Sequence, residues 1–418
     1  MRIVILGLGT AGFAAMLAAK KTNPKADITI IDDKDFDLLH TCGLPFAIEG
    51  KIKSFEELQH KVHAEQMGIR KVKGRVDSID TKNKKVIVND MGIDYDKLII
   101  TTGASAFVPD IKGKEGAFII KSIKECEKLK KESKKNKTAV VVGAGAIGIE
   151  TAVALKNLGL DVTLKEMKAA VLPNSLDNDM SGVVKEYLEK QGIKAELGRK
   201  IDELKGYDIK VIAAGFRPNT ELAKKSGIKV EKGIIVDESL NTSAKDVYAA
   251  GDCCEHKSII TGKPYTVYLA TSAYKQGTIA GINAAGGSEK YSGVLGTFVS
   301  VIGELEVAST GFTTEYAQAE GIEVVSAKAK GRSKPEWYPG GKEITVKVIV
   351  NKKNKKVIGA QAIGEGAAHR INVVSAAIKA GFSAKELSDV ELAYCPAVSE
   401  TYDVLMQAVD LAIRKMGG

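Results

Sequence analysis

The run Arg2-Ile3-Val4-Ile5-Leu6-Gly7-Leu8-Gly9-Thr10-Ala11-Gly12 decides the fold. Its apolar, largely β-branched opening reads as a strand buried on both faces, and it leads straight into Gly-x-Gly-x-x-Gly. An alanine-rich helix follows, and then a second strand, Ile28-Thr29-Ile30-Ile31-Asp32. In such a βαβ unit the three glycines serve different ends. Gly7 permits the tight turn, Gly9 lets a phosphate approach the backbone, and Gly12 lets helix and strand pack closely. The helix N-terminus then faces the phosphates. Asp32, 20 residues after Gly12, stands where a carboxylate accepts hydrogen bonds from ribose hydroxyls. Glycines alone could be structural. Strand, glycines, helix and terminal acid together predict a dinucleotide site.

The same unit occurs again. Val140-Val141-Val142-Gly143-Ala144-Gly145-Ala146-Ile147-Gly148-Ile149-Glu150 repeats the fingerprint, and Asp161-Val162-Thr163-Leu164-Lys165-Glu166 ends its second strand with Glu166, 18 residues after Gly148. Two such sites can hold one tightly bound dinucleotide and one diffusible one, which suits hydride transfer from a nicotinamide to a flavin. Which unit holds which is open at this level. About ten residues beyond Asp32 comes Leu39-His40-Thr41-Cys42-Gly43-Leu44-Pro45-Phe46, which places Cys42 to face a flavin.

The 418 residues, 44% of them hydrophobic, suggest about three domains. No apolar run approaches the roughly 18–20 residues of a membrane span, and the N-terminal apolar stretch is a strand rather than a signal peptide. A cytoplasmic protein without membrane contact is expected. Five cysteines without regular spacing argue against a secreted disulfide framework and fit reduced thiols, at least one of them catalytic. Lys and Arg outnumber Asp and Glu by 61 to 52, for a net charge of +9, but the lysines are dispersed. The six lysines from Lys128 to Lys137 read as an exposed helix end and loop, with attraction of an anionic substrate as the functional alternative. No basic stretch is interleaved with aromatics, so nucleic acid is not expected as a partner. The five histidines are scattered, and no metal site is expected.

Tyr95 to Ala104, with Thr101-Thr102-Gly103, reads as a buried strand ending in a small-residue turn, and Val247-Tyr248-Ala249-Ala250-Gly251-Asp252 reads as another. Both suit the first unit, so the second fingerprint and its own strand and turn, Val211 to Asn219 with Gly215, interrupt the first domain. The expected fold is α/β, with two Rossmann-like dinucleotide-binding domains, the second inserted in the first. The first takes 1–112 and 242–322, and the second 113–241. After about residue 320, strands at Thr345 to Val350 and Lys356 to Ala362 flank the Asn351-Lys352-Lys353-Asn354-Lys355 turn and helical segments follow, an α+β domain at 323–418.

Taken together, the two fingerprints, the Thr-Thr-Gly turn, the Gly-Phe-Arg-Pro-Asn segment and Tyr-Ala-Ala-Gly-Asp resemble the pyridine nucleotide-disulfide oxidoreductase superfamily over essentially the whole chain. The resemblance implies that Gly7, Gly9, Gly12, Asp32, Thr102, Gly103 and Asp252 bind FAD. It implies that Gly143, Gly145, Gly148 and Glu166, with Gly215, bind NAD(P)H, and the carboxylate of Glu166 favours NADH. A helix beginning near Ala270-Thr271-Ser272 would put its positive end at the flavin pyrimidine edge. The last domain would form a homodimer interface.

Within that superfamily Cys42 has no cysteine neighbour until Cys126. The pattern is similar to the single-cysteine branch of coenzyme A-disulfide reductases, NADH-dependent persulfide reductases and NADH oxidases. It implies a small sulfur-containing substrate, a disulfide, persulfide or polysulfide, attacked by the Cys42 thiolate, with coenzyme A as a candidate carrier thiol. Tyr338, in Trp337-Tyr338-Pro339-Gly340, and Tyr394, in Ala393-Tyr394-Cys395-Pro396, stand at the places of tyrosines that reach the partner's active site in members reducing coenzyme A disulfides, so the resemblance implies candidate proton donors to a leaving thiolate, with interface packing as the alternative. Oxygen reduction is the alternative, weakened because Thr10 stands where oxidases of the group carry histidine. An electron-transfer reductase docking a small redox protein is the alternative of another class. Leu17, with Lys20 and Lys21, replaces an arginine cluster for coenzyme A phosphates, and Ala146 replaces an aromatic lid. Cys253-Cys254 reads as small-residue packing, Cys395 as a candidate resolving thiol and Cys126 as silent. No rhodanese-like extension is expected after Gly418.

Overall fold

The computed structural model describes residues 1–417. The chain packs as two compact units, each assembled from separated segments.

The first unit comprises Met1–Thr41, Ser54–Phe107 and Phe216–Val294. At its centre is a five-stranded parallel sheet in the order Val247–Ala249, Lys97–Ile100, Arg2–Leu6, Asp27–Asp32, Arg70–Lys73. Ile3, Val4, Ile5 and Leu6 are all buried, as a central strand covered on both faces requires. Helix Thr10–Thr22 crosses helix Ala270–Ala284 at very short range. A Cβ on Gly277 would come within 2.1 Å of the Ala11 carbonyl oxygen, and one on Gly281 within 2.2 Å of that of Ala15. Only hydrogen fits at these two positions. The contact fixes helix Ala270–Ala284, whose observed start at Ala270 is the expected one.

The second unit comprises Cys42–Lys53, Val108–Gly215 and Leu295–Gly418. It contains a four-stranded parallel sheet ordered Lys194–Leu197, Asp161–Glu166, Thr138–Val142, Ile209–Ile212. It also contains a five-stranded antiparallel sheet ordered Phe298–Ile302, Leu305–Gly311, Val357–Gly364, Glu343–Asn351, Val324–Arg332. Glu343–Asn351 and Val357–Gly364 are the two strands read around the lysine-rich turn. The turn is held by the Asn351 side chain, whose Oδ1 accepts the Lys353 N–H at 2.9 Å.

Three segments pack elsewhere than the expected boundaries place them, the first being residues 295–322, expected in the first domain but part of the second unit, where Phe298–Ile302 and Leu305–Gly311 pair in the antiparallel sheet. Phe216–Pro218 pairs antiparallel with Ala104–Ala106, so the chain re-enters the first unit at 216 rather than near 242. Cys42–Lys53 belongs to the second unit, because helix Leu44–Glu49 packs on helix Ala146–Asn157 and is tied there by polar contacts. Asn157 Nδ2 donates to Glu49 Oε1 at 2.7 Å, and Lys130 Nζ donates to the Ala47 carbonyl at 2.6 Å. No helix among the described residues is long and apolar enough to cross a membrane.

Candidate active site

In the first loop Gly7 has φ +97°, a left-handed value that side chains resist, and an added Cβ would lie 2.6 Å from the Thr101 carbonyl oxygen. Thr101 closes the turn from the other side, donating its hydroxyl to the carbonyls of Leu6 at 2.8 Å and Gly7 at 2.9 Å. Gly12 packs against the loop itself, with the Gly7 carbonyl oxygen 1.9 Å from where its Cβ would be. Gly9 differs, since nothing lies within 4 Å of its Cβ position. The two tight glycines shape the loop, and the open one leaves a cradle. Helix Thr10–Thr22 starts there with no side-chain cap and no acid in its first turn, so its N–H groups are available to an anion. Asp32 sits beneath: Oδ2 accepts the Leu8 N–H at 2.5 Å and the Lys34 ammonium at 2.5 Å, while Oδ1 accepts the Lys34 N–H at 2.8 Å.

Two further turns complete the first unit's site. Asn219 clamps Thr102: Asn219 Nδ2 donates to the Thr102 carbonyl at 2.8 Å, the Thr102 hydroxyl donates to the Asn219 carbonyl at 2.9 Å, and the Asn219 N–H donates to the Gly103 carbonyl at 2.9 Å. The Gly251-Asp252 turn is held by Gln276, whose Oε1 accepts the Gly251 N–H at 2.8 Å while its Nε2 lies 3.1 Å from His256 Nδ1. Both side chains are buried. Burial pushes the His256 imidazole down to about 4, so it is neutral near pH 7 and can accept from the Gln276 amide. Ala270 and Thr271 open their helix exposed and without a side-chain cap. The Asn219, Gln276 and His256 contacts are not legible in the sequence, since they join residues far apart in the chain.

The second loop repeats the first. Gly143 has φ +103° and Gly148 would place a Cβ 1.9 Å from the Gly143 carbonyl oxygen, while Gly145 faces open space. Glu166 Oε2 accepts the Ala144 N–H at 2.9 Å, and Oε1 accepts the Lys168 N–H at 2.9 Å. The flanking ammonium groups turn elsewhere. Lys165 Nζ meets Glu196 at 3.3 Å and Lys168 Nζ meets Asn174 Oδ1 at 2.8 Å. Gly215 has φ +103° and also faces open space. One group carries no signal in the sequence. Glu150, in the helix of this loop, has its carboxyl pushed up by burial and accepts the hydroxyl of the buried Ser300 at 2.6 Å.

Cys42 is exposed within the short turn Thr41–Gly43 that leads into helix Leu44–Glu49. Cys395 and Tyr394 are exposed in the segment before helix Val404–Lys415, and Tyr338 is partly buried edge-on to the exposed Trp337 at 6.2 Å. The other three thiols are buried. Burial pushes the Cys126 thiol up to about 12, which leaves it unreactive. No cluster of His, Cys, Asp or Glu suited to a metal occurs among the described residues.

The two cradles with uncapped helix ends fit the pyrophosphates of FAD and of a pyridine nucleotide. Comparison with known proteins agrees. Residues 1–277 match the family described as pyridine nucleotide-disulphide oxidoreductase, and residues 297–406 match the dimerisation domain of that family. An NADH oxidase of Methanocaldococcus jannaschii is 38% identical over 100% of this chain and 99% of that protein. A CoA-dependent NAD(P)H sulfur oxidoreductase of Pyrococcus furiosus is 33% identical over 97% of each. Among solved structures, an NAD-dependent persulfide reductase from A. fulgidus superposes with a TM-score of 0.96 at 31% identity, covering 100% of this chain and 84% of that one. The chain belongs to the pyridine nucleotide-disulphide oxidoreductase family and is an FAD- and NAD(P)H-using oxidoreductase.

Proposed function

We propose that the chain is an NADH-dependent reductase of disulfides or persulfides that works through Cys42. The observation that carries this reading is the exposed thiol of Cys42, the one cysteine in its stretch of chain, in a fold whose relatives include a CoA-dependent sulfur oxidoreductase and a persulfide reductase. The first loop with Asp32, Thr102, Gly103, Asp252, Ala270 and Thr271 is assigned to FAD. Gly143, Gly145, Gly148, Glu166 and Gly215 are assigned to the pyridine nucleotide. Glu166 supports NADH, because a carboxylate accepts ribose hydroxyls and repels a 2′-phosphate, and both neighbouring lysines are engaged elsewhere.

FAD, when bound, supplies a two-electron carrier between the nicotinamide and sulfur. The chain's own part is sulfur transfer. The Cys42 thiolate attacks R–S–S–R to form Cys42–S–S–R and release RS⁻, or attacks the outer sulfur of R–S–SH to form Cys42–S–SH and release RS⁻. Two electrons then return the thiolate and release RS⁻ or HS⁻. Tyr338 and Tyr394 are proposed to protonate the leaving thiolate in a homodimer, as the family's dimerisation domain at 297–406 suggests. Coenzyme A is a candidate carrier thiol, and the cytoplasm the proposed compartment.

A second reading is favoured by one comparison, the NADH oxidase relative at 38% identity. Oxygen would then be the acceptor, with Cys42 cycling through sulfenic acid. Cys42→Ser separates the readings in two half-reactions. Under the leading reading NADH still bleaches the flavin of the variant in stopped flow, while turnover of coenzyme A disulfide, coenzyme A persulfide or polysulfide falls by orders of magnitude. Unchanged turnover of every sulfur substrate removes the nucleophile role. Oxygen consumption by the wild type that exceeds sulfur turnover favours the oxidase.

A further inference from the structure

Three turns of the first unit are assigned to the flavin: Thr102-Gly103, Gly251-Asp252 and the start of helix Ala270–Ala284. One aromatic side chain is tied to all three. Tyr268 stands two residues before Ala270, and its ring packs on that of Phe216, with centroids 5.9 Å apart and planes at 59°, a favourable tilted contact. Phe216 cannot drift, because it pairs with Ala106 and lies three residues before Asn219, which clamps Thr102. The guanidinium of the neighbouring Arg217 lies 4.1 Å from the centre of the Phe107 ring and pins the same strand pair. Burial, and then the charge of the Asp252 carboxylate nearby, raise the Tyr268 phenol above its ordinary value, so it stays a neutral phenol near pH 7. Tyr268 is nevertheless only half-buried. A ring backed by Phe216, placed among the three flavin turns and left with a face that the protein does not cover, is built as a wall.

We propose that Tyr268, set by Phe216, is an aromatic wall of the flavin site that keeps oxygen from the reduced flavin and so reserves its electrons for sulfur. The proposal rests on the assignment of the first loop to FAD, and it deepens the proposed function by naming a residue that sets the choice of acceptor. The reaction opposed is the passage of two electrons and two protons from reduced flavin to O₂, which gives oxidised flavin and H₂O₂. Oxygen has to reach the flavin ring for this to happen, and a fixed phenol ring occupies the approach. A tyrosine suits the task because it offers a large, stiff surface with few rotatable bonds, and the Phe216 contact removes most of the freedom that is left.

The test uses the FAD-loaded full chain in a Cys42→Ser background, which removes oxygen chemistry at that thiol. Tyr268→Phe and Tyr268→Ala are compared with their parent for the fluorescence of bound flavin and, after reduction by one equivalent of NADH, for the rate of flavin reoxidation in aerated buffer. A phenol touching the flavin quenches its excited state by giving up an electron, which a phenyl ring is too hard to oxidise to do. Fluorescence is therefore expected to rise several-fold in both variants, whereas reoxidation should quicken several-fold in Tyr268→Ala alone, since phenylalanine keeps the ring that excludes oxygen. Unchanged fluorescence in Tyr268→Phe overturns the contact, even where Tyr268→Ala fails to fold. Reoxidation of Tyr268→Ala at the parent rate, or of Tyr268→Phe as fast as Tyr268→Ala, overturns the wall. Asp252→Ala separates this proposal from the reading beneath it. If that variant binds FAD more weakly while the Tyr268 variants match their parent, the wall alone falls; if FAD affinity is unchanged there too, the assignment of the first loop to FAD falls with it. Sulfur turnover of the chain that retains Cys42 is a separate measurement, so the proposed function stands or falls on its own.

Discussion

The two glycine loops share a backbone solution but treat the acid at its end differently. In the first, Asp32 carries the Lys34 ammonium at 2.5 Å as well as the Leu8 N–H. In the second, Glu166 accepts only backbone N–H groups among the contacts seen, and its lysine neighbours are turned to Glu196 and Asn174. A carboxylate already neutralised by a cation suits a ligand that stays. One left negative discriminates between ligands that come and go, because its repulsion of a second phosphate is undiminished.

The sharpest break of that comparison is between the glycines that pack and those that leave room. Gly12→Ala or Gly148→Ala forces a Cβ into a carbonyl oxygen at 1.9 Å and is expected to cost about 3 kcal/mol or more. Gly9→Ala or Gly145→Ala meets nothing within 4 Å and should leave the melting temperature near wild type while FAD content or NADH affinity falls. Thermal denaturation beside cofactor titration separates the pairs. Equal Tm losses at all four positions would contradict the cradle.

Acid should divide the two units next. The unfolded chain protonates His256 below its ordinary pKa of 6.5, whereas the folded chain resists until about 4. Stability from this group is therefore complete above pH 6.5 and is lost as the pH falls toward 4, by about 3 kcal/mol at most. The Gln276 clamp on Gly251 should fail with it, and no histidine lies between residues 113 and 241. FAD release should rise over this window while NADH binding does not, and His256→Gln should flatten the profile. Flavin fluorescence against pH reads it.

Smaller effects test the acids themselves. Glu166→Ala is expected to lower kcat/KM for NADH roughly 10- to 100-fold, the loss of a charge-assisted hydrogen bond, and to leave NADPH turnover equal or better. A matched loss for both nucleotides would return Glu166 to a loop-shaping role. Lys34→Ala should be mildest, about 1 kcal/mol or less for a partly exposed pair, read as a change of a few-fold in FAD dissociation.

Much of this is legible in the sequence because local spacing dictates it. The two fingerprints, their acids, the helix starting at Ala270 and the lysine-rich hairpin turn are all encoded within a few dozen residues. What sequence cannot supply are contacts whose partners are far apart in the chain. Thr102 is held by Asn219, and Gly251 by Gln276 and His256. The segment carrying Cys42 follows the first fingerprint in sequence but packs on the helix of the second, because Glu49 and Ala47 find partners at Asn157 and Lys130. Glu150 escapes a reading of the sequence since nothing in its neighbourhood announces the strand that brings Ser300.

The strand order of the first sheet also sets a clock. Lys97–Ile100 pairs on one side with Arg2–Leu6, made at the very start of synthesis, and on the other with Val247–Ala249. Its open edge must wait for residue 247, which at about 5–20 residues per second is roughly 7–30 s on the ribosome. For that interval an apolar strand presents unpaired N–H and C=O groups to any other chain nearby. The insertion that gives the enzyme its second nucleotide site thus makes the nascent first sheet the point at which crowding, heat or a missing chaperone would be felt first.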